Sequence, residues 1–340
     1  MKALLIGGTG TISTHISQRL VQLGWDLTLL NRGNTGAFVP KGARVLKVDI
    51  NDEAAVNQLL GDEQFDVVAD FIIFTPEQAQ RDIRLFKGRT AQYIFISSAS
   101  AYQKPLSSPY ITESTPLHNP FWGYSRNKLA IEALLMDAYR NDGFPVTIVR
   151  PSHTYNERSM PLGLHGSMGS FAVLERIRTG RKIIVPGDGL TLWTVTHSRD
   201  FAVGFCGLMG NIHAIGEAVH ITSDEKLTWN QIHECVGRAL GQAPKMVHIA
   251  SETLAKLGPD WEGALIGDKS NTVLFDNTKI KRLVPEFCAT TRFDQGAREV
   301  VEYVYSHPEC QTPDPEFDAW CDAVIEQYEA MMEKLPKLGG

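Results

Sequence analysis

Tyr124 and Lys128, four residues apart in Tyr-Ser-Arg-Asn-Lys, have the types and spacing for proton transfer at a carbinol oxygen. On a helix, four residues return to the same face, so phenol and ammonium would stand side by side. A phenol of pKa about 10 is a base near neutrality only if its anion is stabilised by about 3 units, about 4 kcal/mol. A neighbouring ammonium supplies part of that, and the positive charge of an oxidised cofactor supplies more. Ser98 ends an apolar run in Ile96-Ser-Ser-Ala-Ser-Ala-Tyr102. The carboxyl end of a strand is where open α/β sheets bind ligands. A hydroxyl there would bond the oxygen that gains or loses charge.

Such a pair needs a hydride carrier, and the N-terminus offers a place for one. Gly7-Gly-Thr-Gly-Thr-Ile-Ser13 follows the run Ala3–Ile6 and opens a helical pattern. Gly7 permits a tight turn, and Gly10 lets the backbone approach a pyrophosphate favoured by the helix N-terminus. Ser13 replaces the third glycine of the pattern and is the next smallest choice for helix–strand packing. The expected dinucleotide contacts are Gly7, Thr9, Gly10, Thr11 and Ile12, with Tyr124 and Lys128 at the nicotinamide end. An NAD site normally presents a carboxylate to the ribose about 20 residues beyond the glycines. Here the sequence is Asn31-Arg32-Gly33, with no acid. Arg32 would pair with a 2′-phosphate in a charge-assisted fork, so NADP is expected over NAD. Stacking on adenine, or a place in solvent, remains open for Arg32. Asp49 and Ile50 fall where they would border the adenine, unless Asp49 is a solvated loop residue.

The elements that must hold these groups alternate. Near-continuous apolar runs at Ala3–Ile6, Leu27–Leu30, Val45–Val48, Val67–Ile73, Tyr93–Ile96 and Val146–Val149 read as parallel strands buried on both faces. Helical patterns lie between them, the first with Ile12, Ile16, Leu20 and Leu23 on one face and Gly24 closing it. Together they predict an α/β fold, a Rossmann-type doubly wound parallel sheet. After Pro151 short strands (Ile183–Val185, Leu192–Thr196, Ala218–Thr222) sit among helices and Gly/Pro loops, predicting a smaller α+β substrate lobe. The expected division is a dinucleotide domain over 1–165, a substrate lobe over 166–306 partly interleaved with it, and a linker and helix over 307–340. That last helix carries Trp320, Val324, Tyr328 and Met332 at helical spacing, expected to pack on its own subunit.

Composition narrows the classes. The net charge is -6, and no basic cluster exceeds Arg176-Ile-Arg178 or Lys279-Ile-Lys-Arg282, which argues against nucleic acid as a partner. The five cysteines are scattered with no CxxC, and the ten histidines show no ligand spacing, so neither disulfides nor a metal is expected. No apolar stretch reaches membrane-spanning length, and a cytoplasmic protein is expected.

Taken together, residues 1–306 resemble an extended short-chain dehydrogenase/reductase of the NAD-dependent epimerase/dehydratase family. The matching pieces are GGTGTIS, Val48-Asp-Ile50, FISSASAY over 95–102, Thr112-Glu-Ser-Thr-Pro116, the YSRNK box, Val149-Arg-Pro151, and Pro186-Gly-Asp-Gly189 leading to Asp200. The resemblance makes Ser98 the catalytic serine ahead of Ser97 and Ser100, and completes a Ser98/Tyr124/Lys128 set. It implies a homodimer through a four-helix contact. Two departures matter. Sugar 4,6-dehydratases carry Asp-Glu after the catalytic hydroxyl residue, where this chain has Ala99-Ser100, which argues against dehydration. Members using nucleotide sugars usually place a diphosphate-gripping arginine after the GDG loop, where this chain has Trp193. Tryptophan could stack on a sugar or base, or be a plain core aromatic; Arg176, Arg181 or Arg199 would be substitutes. Ser98, Ser100, His153 and Trp193 are the substrate candidates, with a satisfied structural role the alternative for His153 and for His197. The expected function is transient hydride transfer in a sugar or nucleotide-sugar epimerase. The alternatives are an NADP-dependent dehydrogenase or ketoreductase of a non-nucleotide substrate, and a non-catalytic member that senses dinucleotides or binds RNA.

Overall fold

The computed structural model describes residues 1–33, 36–336 and 338. The chain gathers into two compact units, one of residues 1–156, 194–226 and 273–291, the other of residues 157–193, 227–272 and 292–340.

The first unit is built on seven strands: β1 (Lys2–Ile6), β2 (Asp26–Asn31), β3 (Arg44–Lys47), β4 (Phe65–Asp70), β5 (Thr90–Ile96), β6 (Val146–Pro151) and β7 (Ala218–Ile221). They are parallel throughout, in the order β7-β6-β5-β4-β1-β2-β3. Alternation along the strands loads both faces, as the period of two requires. Ala3, Leu5, Leu29, Val67 and Ile94 pack with Ile16 and Leu20 of α1 (Ser13–Gln22) on one side. Leu4, Ile6, Leu30, Val68 and Phe95 pack on the other, against Val56 of α2 (Glu53–Leu60), Leu85 of α3 (Pro76–Phe86) and Ile131 of α4 (Gly123–Asp142). A seventh strand was not expected at the edge: Ala218–Ile221, assigned from sequence to the smaller lobe, pairs with β6 and completes the main sheet. The order reverses at β1, which has β2 on one side and β4 on the other, so the carboxyl ends of these strands frame the crevice used by doubly wound sheets.

Two local expectations change. Leu23 is 54% exposed because the helix ends at Gln22 and Leu23 is already its C-cap. The run Leu192–Thr196 is not one strand. Leu192–Trp193 pairs antiparallel with Leu227–Thr228 in the second unit, and Val195–His197 pairs parallel with His153–Tyr155 in the first. The chain passes between units at Trp193/Thr194.

The second unit holds a parallel strand pair, Lys182–Pro186 with Lys245–Ile249, among helices Phe171–Arg178, Trp229–Leu240 and Phe293–Ser306. Its last helix, Pro315–Lys334, starts with Asp314 accepting a bond from the Phe317 amide. The buried ridge is Phe317, Cys321 and Ile325. Trp320, Val324 and Tyr328 form the half-buried ridge beside it, and Met332 is exposed. Apolar residues occupy two adjacent ridges, and the inner one starts three residues earlier than the spacing of the large side chains suggested.

Candidate active site

The glycine loop joins β1 to α1. Gly7 has φ +80°, and a Cβ there would lie 2.7 Å from Ile72 Cγ2. Ser13 does more than replace a glycine. Its buried Oγ accepts from the Gly10 amide at 2.9 Å and donates to the Gly7 carbonyl at 2.6 Å. Thr14 and Ser17 donate to the carbonyls of Gly10 and Gly8, so three hydroxyls of α1 fix the loop. Gly7→Ala is expected to lose about 1–2 kcal/mol of stability from the left-handed backbone alone. It should also weaken dinucleotide binding, because the displaced Ile72 lines the cavity beside the loop. Urea unfolding and a fluorescence titration check the two effects.

That cavity, about 430 Å³, lies at the carboxyl ends of β1 to β4. It brings together Gly7, Thr9, Gly10, Asn31, Arg32, Asp49 and Ile50. Thr11 and Ile12 lie outside its lining, at the start of α1. Asn31 Oδ1 is turned back to the Gly33 amide at 2.9 Å, and Asp49 Oδ1 accepts from the Asn51 amide and side chain, both at 2.9 Å. Among the further wall residues that sequence reasoning did not assign to the site are Asn51, Phe74, Gln78 and Arg81. Gln78 had a readable signal, because Thr75-Pro-Glu-Gln78 is a capping box and Gln78 Oε1 accepts from the Phe74 and Thr75 amides. Arg81 had none. It is buried with its guanidinium on Asp70, Asp82 and Asn51, and burial next to Asp82 pushes the Asp70 carboxyl well above its usual range.

Ser98 follows β5 and is half-buried. Its Oγ accepts from the Ser100 amide at 3.1 Å and lies 2.8 Å from Ser100 Oγ. Ser100 is buried and takes a bond from Ser125 Oγ of α4 at 2.7 Å, so a row of hydroxyls links Ser98 to the helix of Tyr124. Tyr124 sits in the first turn of α4, half-buried, its ring centre 5.6 Å from Lys128 Nζ. Lys128 is buried and donates to the carbonyls of Ile73 and Ile96, each at 2.7 Å. Burial pulls its pKa down to about 8, opposed by the charges of Asp70 and Glu132.

Of the other candidates, His153 is half-buried at the start of a strand beside Val195. His197 Nδ1 accepts from the Arg199 amide as an N-cap, and burial lowers its pKa to about 3, so the ring is neutral. Trp193 is 2% exposed and stacks on Trp229 with centroids 5.3 Å apart, in the core of the second unit. Of the arginine substitutes, Arg176 and Arg181 are held by Asp318 and Asp322. Among the described residues no cluster of three His, Cys, Asp or Glu could hold a metal, and no helix is long and apolar enough to cross a membrane.

A glycine loop between β1 and α1, with a cavity at the point where strand order reverses, defines the dinucleotide-binding Rossmann class. Residues 3–221 match the model of the NAD dependent epimerase/dehydratase family, and the chain belongs to that family. It is 25% identical over 288 residues to the 2′-dehydrokanamycin reductase of Streptomyces kanamyceticus, covering 84% of this chain and 80% of that protein. The fold is similar to an epimerase from Methanothermobacter thermautotrophicus, with TM-score 0.74, 16% identity and coverage of 91% and 93%. It is also similar to a UDP-glucuronic acid 4-epimerase from Bacillus cereus solved with UDP-glucuronic acid and NAD, with TM-score 0.71, 18% identity and coverage of 90% and 99%.

Proposed function

We propose that this protein is an NADP(H)-dependent oxidoreductase that interconverts a ketone and a secondary alcohol on a sugar-like substrate lacking a nucleotide diphosphate. The observation that carries this is Trp193. Where nucleotide-sugar members usually have an arginine, this chain has a core tryptophan packed on Trp229. One relative matched over most of both chains is named a 2′-dehydrokanamycin reductase, which supports the reductase reading.

The cavity suits a dinucleotide. Gly7 and Gly10 leave its floor bare, and a Cβ at Gly10 would meet only Ser13 Oγ, at 3.5 Å. Arg32 is the cation at the end of β2, where a 2′-phosphate would lie. Once bound, the nicotinamide supplies or accepts the hydride. Tyr124 exchanges a proton with the substrate oxygen, Ser98 hydrogen-bonds that oxygen, and Lys128 stabilises the phenolate by its charge. Arg32→Ala is expected to weaken NADPH binding about tenfold to a hundredfold and NADH binding little, as loss of one charge-assisted fork implies; titration with each checks it.

An epimerase would use the same groups but keep its keto intermediate and return the hydride to the other face; similarity of fold to two epimerases supports it. Denaturing the untreated purified protein and assaying the supernatant decides between the two. An empty protein that binds added NADPH reversibly supports the reductase. Tightly retained cofactor supports the epimerase, and failure to bind either dinucleotide defeats both.

A further inference from the structure

The geometry points to Phe74 as a positioning residue for Lys128: its ring is the cavity-side wall of an aromatic box that fixes the ammonium beside Tyr124. The inference rests on the reading of Lys128 as the partner of Tyr124, and it adds a residue that the Ser/Tyr/Lys pattern does not contain.

Three rings surround Lys128 Nζ. Phe74 lies at 4.8 Å, Phe95 at 4.9 Å and Tyr124 at 5.6 Å from ring centre to nitrogen. All fall within the roughly 6 Å over which a ring face attracts a cation. The carbonyls of Ile73 and Ile96 take two of the three ammonium donors, leaving one for a ligand. The titratable groups facing Lys128 are Asp70 at the end of β4 and Glu132 on α4, each favouring the ammonium when ionised, with the Tyr124 phenol on the same helix. Burial acts against them.

The three walls are not equivalent. Phe95 is wholly buried in the sheet, and Tyr124 has its own chemical task. Phe74 is 46% exposed, lines the dinucleotide cavity and also meets the Tyr124 ring at 6.5 Å. Its place is set by the α3 capping box, because its amide is held by Gln78 Oε1 at 2.6 Å. Phe74 is therefore the wall that a bound dinucleotide would cover. Covering it removes water from the ring and strengthens its hold on the ammonium. A leucine would fill similar space and exclude similar water, but would present no negative ring face. It isolates the electrostatic contribution.

The test is to titrate the Lys128 side chain by NMR in protein carrying 13C at lysine Cε, assigned with a Lys128→Met variant, in wild type, Phe74→Leu and Phe74→Tyr. The pH profile of kcat/KM is recorded alongside. Phe74→Leu is expected to lower the Lys128 midpoint by about half a pH unit to one unit, and Phe74→Tyr to leave it in place. A Leu variant that titrates like wild type overturns the box, as does a Tyr variant that moves as far as Leu. If the midpoint moves but the alkaline limb of kcat/KM does not, the box stands and the assignment of Lys128 to the reaction fails.

Discussion

Tyr124→Phe is expected to lower turnover about 10²–10⁴-fold, the range for loss of a positioned acid–base group, while dinucleotide binding stays near that of the native protein. The substitution removes one oxygen and keeps the ring. The contacts of that ring with Trp122 at 5.0 Å, Phe74 at 6.5 Å and the Lys128 ammonium at 5.6 Å therefore survive. The cavity that would receive the dinucleotide is lined by the ends of β1 to β4 and by α3, so its walls are untouched. Steady-state turnover and a fluorescence titration with NADPH separate the two effects. The pH dependence gives a second readout. Burial holds Lys128 near a pKa of about 8, so its ammonium is present below that pH and lost as pH rises through it. On the proposed mechanism the Tyr124 phenolate would lose its partner there, and kcat/KM should fall above about pH 8. In Tyr124→Phe the residual rate should lack that limb. Unchanged turnover in the variant would remove the phenol from the reaction.

What could be read in the sequence depended on how local its cause was. β1 and α1 follow from apolar periodicity over a few residues, and the glycine loop is held by side chains within the next ten residues: Ser13, Thr14 and Ser17. Tyr124 and Lys128 share a face because four residues make about one helical turn. Features that depend on remote partners were opaque. Trp193 looked equally suited to a site or a core until Trp229, 36 positions on, supplied the ring it stacks on. Phe74 falls just past the apolar run Val67–Ile73, and its meaning comes from Lys128 and Tyr124, which lie on another element. Arg81 is on an amphipathic helix where an arginine ordinarily faces water; two aspartates from β4 and α3 draw it inside. Ala218–Ile221 carried a clear strand signal, but only pairing with β6 assigns it to the main sheet.

Glu132 is the residue whose loss should most damage the fold that carries this chemistry. It lies one turn beyond Lys128 on the same face of α4, so Tyr124, Lys128 and Glu132 recur at intervals of four. Its carboxylate takes a bidentate fork from Arg150 of β6, Nε to Oε1 at 2.9 Å and Nη2 to Oε2 at 2.6 Å, and also a bond from Ser97 Oγ. Both charged side chains are about 5% exposed. Arg150 continues to the Tyr102 hydroxyl at 3.2 Å, and Tyr102 lies 3.2 Å from His220 Nδ1 of β7. One carboxylate thus ties α4 to three neighbouring strands of the sheet. It also grips Ser97, next to Ser98, while Lys128 holds the Ile96 carbonyl one residue earlier. Glu132→Gln keeps the shape but leaves the Arg150 charge buried without a counter-ion. Breaking a buried pair from one side costs about 3–5 kcal/mol, a large share of the stability of any domain. Urea unfolding of Glu132→Gln should show a loss of that size. Glu132→Gln combined with Arg150→Met should recover much of it, because no unpaired charge then remains. A single variant as stable as the native protein would mean that the pair does not hold α4 to the sheet.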